Sequence, residues 1–185
     1  MMYHLLSFFD KILSLFILIF LFPFVIIILF LVFIIDLKSP IFIQKRLGEG
    51  LSSFSMYKFR SMKIEEKVSS TYKTTSLNDE RITRIGFFMR KYSLDELPQL
   101  INILQGHMSF VGPRPVTIHE KNNFSKDHWV FRHSVKPGLS GLSQINKPKS
   151  IMEQQKLERL TIESSSLLFY FSIILKTFKV FNKNS

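Results

Sequence analysis

The 185-residue chain has no cysteine and a single tryptophan, and its acidic side chains are scarce, 14 against 25 Lys and Arg. Without cysteine there is no disulfide scaffold, no zinc–thiolate site and no thiol nucleophile, which fits a reducing compartment. The five histidines are scattered without i, i+4 pairing, a pattern of surface or core histidines rather than metal ligands. The shortage of acids leaves a formal charge of +11, which favours polyanionic partners such as anionic headgroups, nucleotide diphosphates or nucleic acid. Phenylalanine, by contrast, is abundant: twenty, set largely in two apolar runs, which argues for lipid contact over base stacking and against a nucleic-acid partner.

The first run covers residues 12–35 without a charge, interrupted only by Ser14 and Pro23. As a helix it would rise roughly 36 Å, enough to cross a hydrocarbon core of about 30 Å. It is too long for a secretory h-region and no small-residue cleavage site follows, so it is expected to be retained as an anchor. Pro23 removes a backbone donor and predicts a kink. Two topologies remain open on these residues: a spanning helix with a tolerated proline, or a re-entrant hairpin of two half-helices. Lys11 precedes the run while Lys38, Lys45 and Arg46 follow it, so charge sets no strong orientation.

Beyond the anchor, two β-prone stretches around Gly48-Glu49-Gly50 predict a hairpin carrying Lys45, Arg46, Lys58 and Arg60. Residues 65–78 are polar and rich in Ser and Thr, the composition of a mobile loop. Ile82, Ile85, Phe88 and Met89 recur at helical spacing, and Leu97, Leu100, Ile101 and Leu104 mark a second helix ending near Gly106. Gly112 to Pro115 and Val135 to Gly141 read as irregular, rigid loops. Met152 to Arg159 reads as helical. Residues 167–181 hold a nine-residue apolar run followed by lysines, too short to span and suited to an interfacial helix.

Between the two central helices lies Ser93-Leu94-Asp95-Glu96-Leu97-Pro98, with Arg90 and Lys91 before it and Gly112-Pro113-Arg114-Pro115 after it. Consecutive helical residues point about 100° apart, so the two carboxylates cannot share one role. One is suited to attack phosphorus, the other to bind metal or move a proton. A helix start would add N–H groups for phosphate oxygens, and arginines would clamp them. The same residues also fit a structural reading, because Ser93-x-x-Glu96 matches a capping box and Pro98 suits a first helical turn. A basic membrane adaptor without catalysis would account for the charge and the anchor, but not for the acidic pair beside Arg114.

The stretches SPIFIQKRLGEG, FSMYKFRSM, DERITRIGFFMRKYSLDELPQLINILQGHMSFVGPRP and VKPGLSGLSQIN, in this order, resemble the bacterial sugar transferases, small monotopic phosphoglycosyl transferases. The resemblance implies a mainly α fold with a small β-hairpin (α+β) in three parts. These are a Pro23-kinked re-entrant anchor (1–38), a catalytic domain (39–165) and an interfacial basic and apolar C-terminal helix (166–185). It implies transfer of a sugar 1-phosphate from a UDP-sugar to undecaprenyl phosphate with release of UMP, initiating glycan assembly. By the same resemblance Asp95 is the nucleophile, Glu96 assists as metal partner or base, and Mg2+, held by Asp95 and Glu96, is the cofactor. Arg60, Arg90, Arg114, Lys136 and Gln144 are implied to bind phosphate or substrate. Pro113, Pro115 and Gly138 are implied to shape the surrounding loops. The implied setting is the bacterial inner membrane, with membrane lipids as partners and the catalytic domain on its cytoplasmic face. A homodimer or downstream glycosyltransferases are further partners it allows. The chain departs from the family pattern at Phe22, His107, Lys136 and Leu142-Ser143, and after Asn146, where the region that helps choose the sugar diverges.

Overall fold

The computed structural model describes residues 2–63, 79–164 and 166–183. The polar stretch expected to be a loop, 65–78, lies outside them. Seven helices and two small two-stranded sheets make up the described chain. The expectation of a mainly helical fold with one hairpin is met, and a second sheet is added to it.

Helix α1 (Met2–Asp36) carries Pro23 within it, so where two half-helices were expected there is one helical element. Its covered side chains form a stripe: Leu6, Asp10, Ser14, Ile17, Leu21, Val25, Ile28 and Val32 are buried or half-buried, at steps of three or four residues. That spacing places them on one face of a helix. Phe16, Ile19, Phe20, Phe22 and most other large side chains of α1 are exposed.

Strands β1 (Ile41–Leu47) and β2 (Ser53–Phe59) pair antiparallel from Ile41↔Phe59 to Leu47↔Ser53. Their connection is a 3-10 turn, Glu49–Leu51, with Gly50 at φ 62°, a left-handed conformation that glycine adopts without a Cβ penalty. Helix α2 (Arg84–Lys91) starts where Thr83 Oγ1 accepts the Gly86 N–H at 2.9 Å, satisfying one orphan donor. A 3-10 turn at Leu94–Glu96 leads through Pro98 into α3 (Gln99–Leu104).

Strand β3 (Ser109–Val111) runs parallel to β4 (Gly138–Ser140), in register Ser109↔Gly138 and Val111↔Ser140. Thus the stretch from Val135 to Gly141, expected to be irregular throughout, contains a strand. Helix α4 (Lys126–Arg132) precedes β4, while α5 (Leu142–Asn146), α6 (Ile151–Glu163) and α7 (Leu167–Lys183) follow it.

Two apolar clusters hold these pieces together. In the first, Leu6, Leu13, Ile17 and Leu18 of α1 meet Phe54, Met56, Leu100, Ile103, Met108, Phe110 and Tyr170. In the second, Val25, Ile28, Leu29 and Val32 meet Phe59, Met89, Ile41 and Ile85. Both parts of α1, before and after Pro23, therefore pack on the same body. Helix α7 also contributes to this core, with Ile173 fully covered, so it is more than the interfacial helix expected; its other faces expose Leu168 and Leu175. Buried polar contacts fix these helices as well: Asp10 of α1 accepts hydrogen bonds from Ser109 Oγ and the Tyr170 hydroxyl.

Candidate active site

The acidic pair sits in the 3-10 turn between α2 and α3. Ser93 before it adopts φ 51° and its side chain caps nothing. The capping-box reading is therefore corrected: Glu96 does not return to Ser93 but receives a 2.7 Å ion pair from Lys58 Nζ on β2. Strand alternation places Lys58 on the face of Phe54 and Met56, both core residues, so the strand carries the ammonium inward to the turn.

The two carboxylates have different surroundings. Asp95 is 7 % exposed, and among the described residues no side chain hydrogen-bonds to it. Burial pushes its carboxyl up to about 6, against the pull of Lys58 and with a further push from Glu96. Burial acts in the same sense on Glu96, but Lys58 and then Arg114, with Arg46 behind them, outweigh it and hold that group below the usual glutamate value. Adjacent carboxylates thus separate into an ionised partner of cations and a desolvated neighbour, as acid–base and nucleophilic sites require.

A cavity of about 810 Å3 opens over this turn. Arg90, Lys91, Ser93 and Glu96 form one wall, Arg114 and Gln144 another, and Lys147, Pro148 and Gln154 a third. Of the residues expected from sequence, Arg90, Glu96, Arg114 and Gln144 are brought together here. Asp95 adjoins the cavity through Glu96 but is not part of its lining. Arg90 is steadied by Ser61, to whose Oγ its Nε donates at 3.0 Å.

Arg114 is exposed, whereas Gly112, Pro113, Pro115 and Val116 around it are buried. Each carbonyl of the Pro113-Arg114-Pro115 turn is occupied. Pro113 O accepts from Gly138 N at 2.9 Å, Arg114 O from Arg132 Nη2 at 2.8 Å, and Pro115 O from Arg46 Nη1 at 3.4 Å. The turn is locked by its backbone, and only the arginine side chain is left to reach into the cavity. Gly138 permits this closeness, since a Cβ there would lie 2.0 Å from the backbone nitrogen of Gly112. Gln144 braces the same seam through Nε2 to the carbonyls of Gly112 and Gly138, each at 3.4 Å.

Two expected phosphate-binding residues lie elsewhere. Lys136 donates to Ser7 Oγ on α1 at 2.9 Å, so it ties the anchor to the domain and is not in the cavity lining. Arg60 is also outside that lining, and its Nη1 is buried without a partner among the described residues. Within the Lys58-Phe59-Arg60 motif it is Lys58 that meets the acidic pair. Pro23 lies on the exposed face of α1.

Arg132 and Glu158 were not singled out from sequence. Both are buried, at 2 % and 0 % exposure, and Arg132 donates to both carboxylate oxygens at 3.0 Å. Burial pushes the Glu158 carboxyl up, but hydrogen bonds from His128 and Arg132 outweigh it and leave the group below its ordinary value. An arginine that holds Arg114's own carbonyl is thereby fixed by a buried bidentate pair. No spacing rule connects residues so far apart in sequence.

Sequence comparison places the chain among known proteins. A family profile described as "Bacterial sugar transferase" matches residues 2–184. The "UDP-glucose:undecaprenyl-phosphate glucose-1-phosphate transferase" of Xanthomonas campestris pv. campestris is 46% identical over 111 residues, 58% of this chain and 23% of that protein. The "Exopolysaccharide production protein PSS" of Rhizobium leguminosarum bv. phaseoli is 37% identical over 158 residues, 80% of this chain and 78% of that protein. A "UDP-N-acetylgalactosamine-undecaprenyl-phosphate N-acetylgalactosaminephosphotransferase" of Aeromonas hydrophila is 39% identical over 117 residues, covering 60% and 27%. The chain thus spans about a quarter of the length of the first and third relatives and most of the second. The two relatives named for a donor carry different sugars.

Proposed function

The chain belongs to the bacterial sugar transferase family, and on that premise we propose that it moves a sugar 1-phosphate from a UDP-sugar to undecaprenyl phosphate, releasing UMP. One observation carries this reading. Arg90, Arg114 and the Lys58-held Glu96 converge on a single cavity beside the desolvated Asp95. At about 810 Å3 the cavity suits a nucleotide sugar, since ligand pockets run roughly 300–1,000 Å3.

Asp95 is the nucleophile. A carboxylate oxygen attacks the phosphorus that bears the sugar, forming an O–P bond. The bond from that phosphorus to the bridging oxygen breaks, and its electron pair leaves with UMP. A phosphate oxygen of the lipid carrier then attacks the same phosphorus, the aspartyl O–P bond breaks, and the free carboxylate returns. Glu96 takes a proton from the incoming lipid phosphate when that group arrives protonated. Arg90 and Arg114 face the charge that spreads over the transferring phosphoryl oxygens. Handling the substrates in turn avoids bringing two anions together, which Coulomb repulsion opposes.

The donor set fits Mg2+, which takes one or two carboxylates together with substrate phosphates rather than an all-protein cage. Among the described residues there is no cluster of three or more His, Asp or Glu, and Glu96 with Asp95 would hold the ion. When bound, it supplies positive charge to the pyrophosphate.

The packing of α1 supports a monotopic arrangement in the cytoplasmic face of the bacterial inner membrane. A spanning helix would carry its far half away from a cytosolic domain, whereas side chains before and after Pro23 both stay in contact with it. The exposed Phe and Ile of α1 then face lipid, and the site lies beside the headgroup of its acceptor.

The test is UMP release by the purified chain with undecaprenyl phosphate and, in turn, UDP-glucose, UDP-galactose and their N-acetylamino counterparts. Acceptor-dependent release with at least one donor is expected. No release with any of them would contradict the proposal.

A further inference from the structure

One wall of the cavity comes from the region after Asn146, and there a buried carboxylate fixes the orientation of an amide. Gln154, in the first turn of α6, lines the cavity beside Lys147 and Pro148. One helical turn later Glu158 is fully buried and meets four nitrogen atoms. These are Nε and Nη2 of Arg132 at 3.0 Å each, Nε2 of His128 at 2.9 Å and Nε2 of Gln154 at 3.0 Å. A carboxylate paired with a permanently charged guanidinium stays ionised and can only accept hydrogen bonds. The NH2 end of the Gln154 amide must therefore face Glu158, and the carbonyl oxygen is the end left for the cavity.

That oxygen is uncommitted where comparable ones are not. Among the cavity's carboxylate and amide side chains, Glu96 is taken by Lys58, and the Gln144 oxygen accepts from Ser143 Oγ at 2.8 Å. Among the described residues no donor meets Gln154 Oε1. A donor substrate needs such a group. Its pyrophosphate is served by the arginines, while its hydroxyl and amide N–H groups need acceptors, and a neutral one does not repel the neighbouring phosphates.

We propose that Gln154 is a donor-recognition residue: its carbonyl oxygen, turned into the cavity by Glu158, accepts a hydrogen bond from a hydroxyl or N–H of the UDP-sugar. This rests on the transferase reading. The hydrogen-bonding group belongs either to the sugar or to the uridine, and the assay separates them.

Gln154 is half-buried, so Gln154→Met, of similar length, leaves Glu158 its bonds to Arg132 and His128, whereas Gln154→Glu also sets a second carboxylate against Glu158 and is read beside its thermal stability. Steady-state UMP release is measured for the four UDP-sugars together with UMP inhibition, and UDP-sugar binding is measured directly by calorimetry. The loss of one neutral hydrogen bond predicts a rise in donor KM of about 3- to 10-fold for Gln154→Met with kcat nearly unchanged. A larger rise is expected for Gln154→Glu, whose charge repels the donor. If the group is on the sugar, the preference among donors shifts and UMP inhibition is unchanged. If it is on the uridine, inhibition by UMP weakens by the same factor as every donor. Wild-type KM and UMP affinity in both variants, or a change confined to kcat, would overturn the proposal. A wild-type chain that binds UDP-sugar but releases no UMP would sink the transferase reading alone, and the calorimetric comparison would still judge Gln154. A wild-type chain that binds no UDP-sugar would overturn both.

Discussion

Lys58 Nζ lies 2.7 Å from Glu96 Oε1, while Asp95, the next residue back, is buried and has no ion-pair partner among the described residues. Burial without a paired cation on one side, and Lys58 with Arg114 and Arg46 on the other, separate two adjacent carboxylates in character, and the expected pH behaviour follows from that difference.

Burial raises Asp95 from 3.8 to about 6. On the proposed reading Asp95 must be ionised to attack, so UMP release should fall at acidic pH, with Mg2+ held beside it drawing the limb below the metal-free value of about 6. Lys58 lowers both carboxylates, so Lys58→Met should move this acid limb to higher pH as well as reduce the rate; an unmoved limb would contradict the assignment. Stability runs in the other sense. A carboxyl whose folded value is raised opposes folding once it ionises, so its favourable contribution is complete below about 3.8 and is lost as pH rises through about 6. Asp95→Asn should accordingly be more stable than wild type at pH 8, by an amount on the order of 1–3 kcal/mol. Thermal unfolding at pH 5 and pH 8 checks the sign.

The seam between the Arg114 turn and β4 is intolerant of any side chain. A Cβ at Gly138 would come within 2.0 Å of Gly112 N and 2.6 Å of its Cα, both backbone atoms that cannot swing aside. Gly138→Ala should cost about 3 kcal/mol or more of stability and displace Arg114. Gly50 offers the contrast, with φ 62° and open space around it, so Gly50→Ala should cost only about 1 kcal/mol, from backbone strain. Equal melting temperatures for the two variants would refute the contrast.

The natural absence of cysteine gives a clean background for mapping the anchor. Single cysteines placed at His4 and at Ser39, on either side of the apolar run, should both react with an impermeant maleimide only after the cytoplasmic face is opened. Labelling of one position from outside intact cells would show a crossing helix.

Much of this fold is local in origin and legible in the residues. The apolar run of α1, the alternating hairpin strands, the spacing of Ile85 and Met89, and the short α3 ending before Gly106 all declare themselves through nearest neighbours, whereas Ile82, expected in the same helix as Ile85, lies before it and bridges to Met62. The β3–β4 pair does not, because three-residue strands flanked by Gly and Pro carry no alternation, and their pairing depends on two backbones meeting without side chains. The same limit hid the roles of Lys58, Lys136 and Arg132. Lys58 and Arg60 are equivalent by composition and, two residues apart, alike in strand alternation; only the tertiary contact of Lys58 with Glu96, from within β2 while Arg60 lies past its end, separates them. Lys136 sits in a motif that suggests phosphate, yet it reaches Ser7, 129 residues away. Ser93-x-x-Glu96 matched a cap, but a lysine from another element gave Glu96 a stronger partner than a backbone N–H would.

The most direct measurement is the intact mass of the protein after incubation with its UDP-sugar donor in the absence of lipid acceptor. Wild type should gain the mass of one phosphosugar and release an equal amount of UMP, and adding undecaprenyl phosphate should discharge the adduct. Asp95→Asn should remain unmodified while still partitioning with the membrane. An adduct that persists in Asp95→Asn, or turnover by wild type without any adduct under conditions that trap it, would contradict the role given to Asp95.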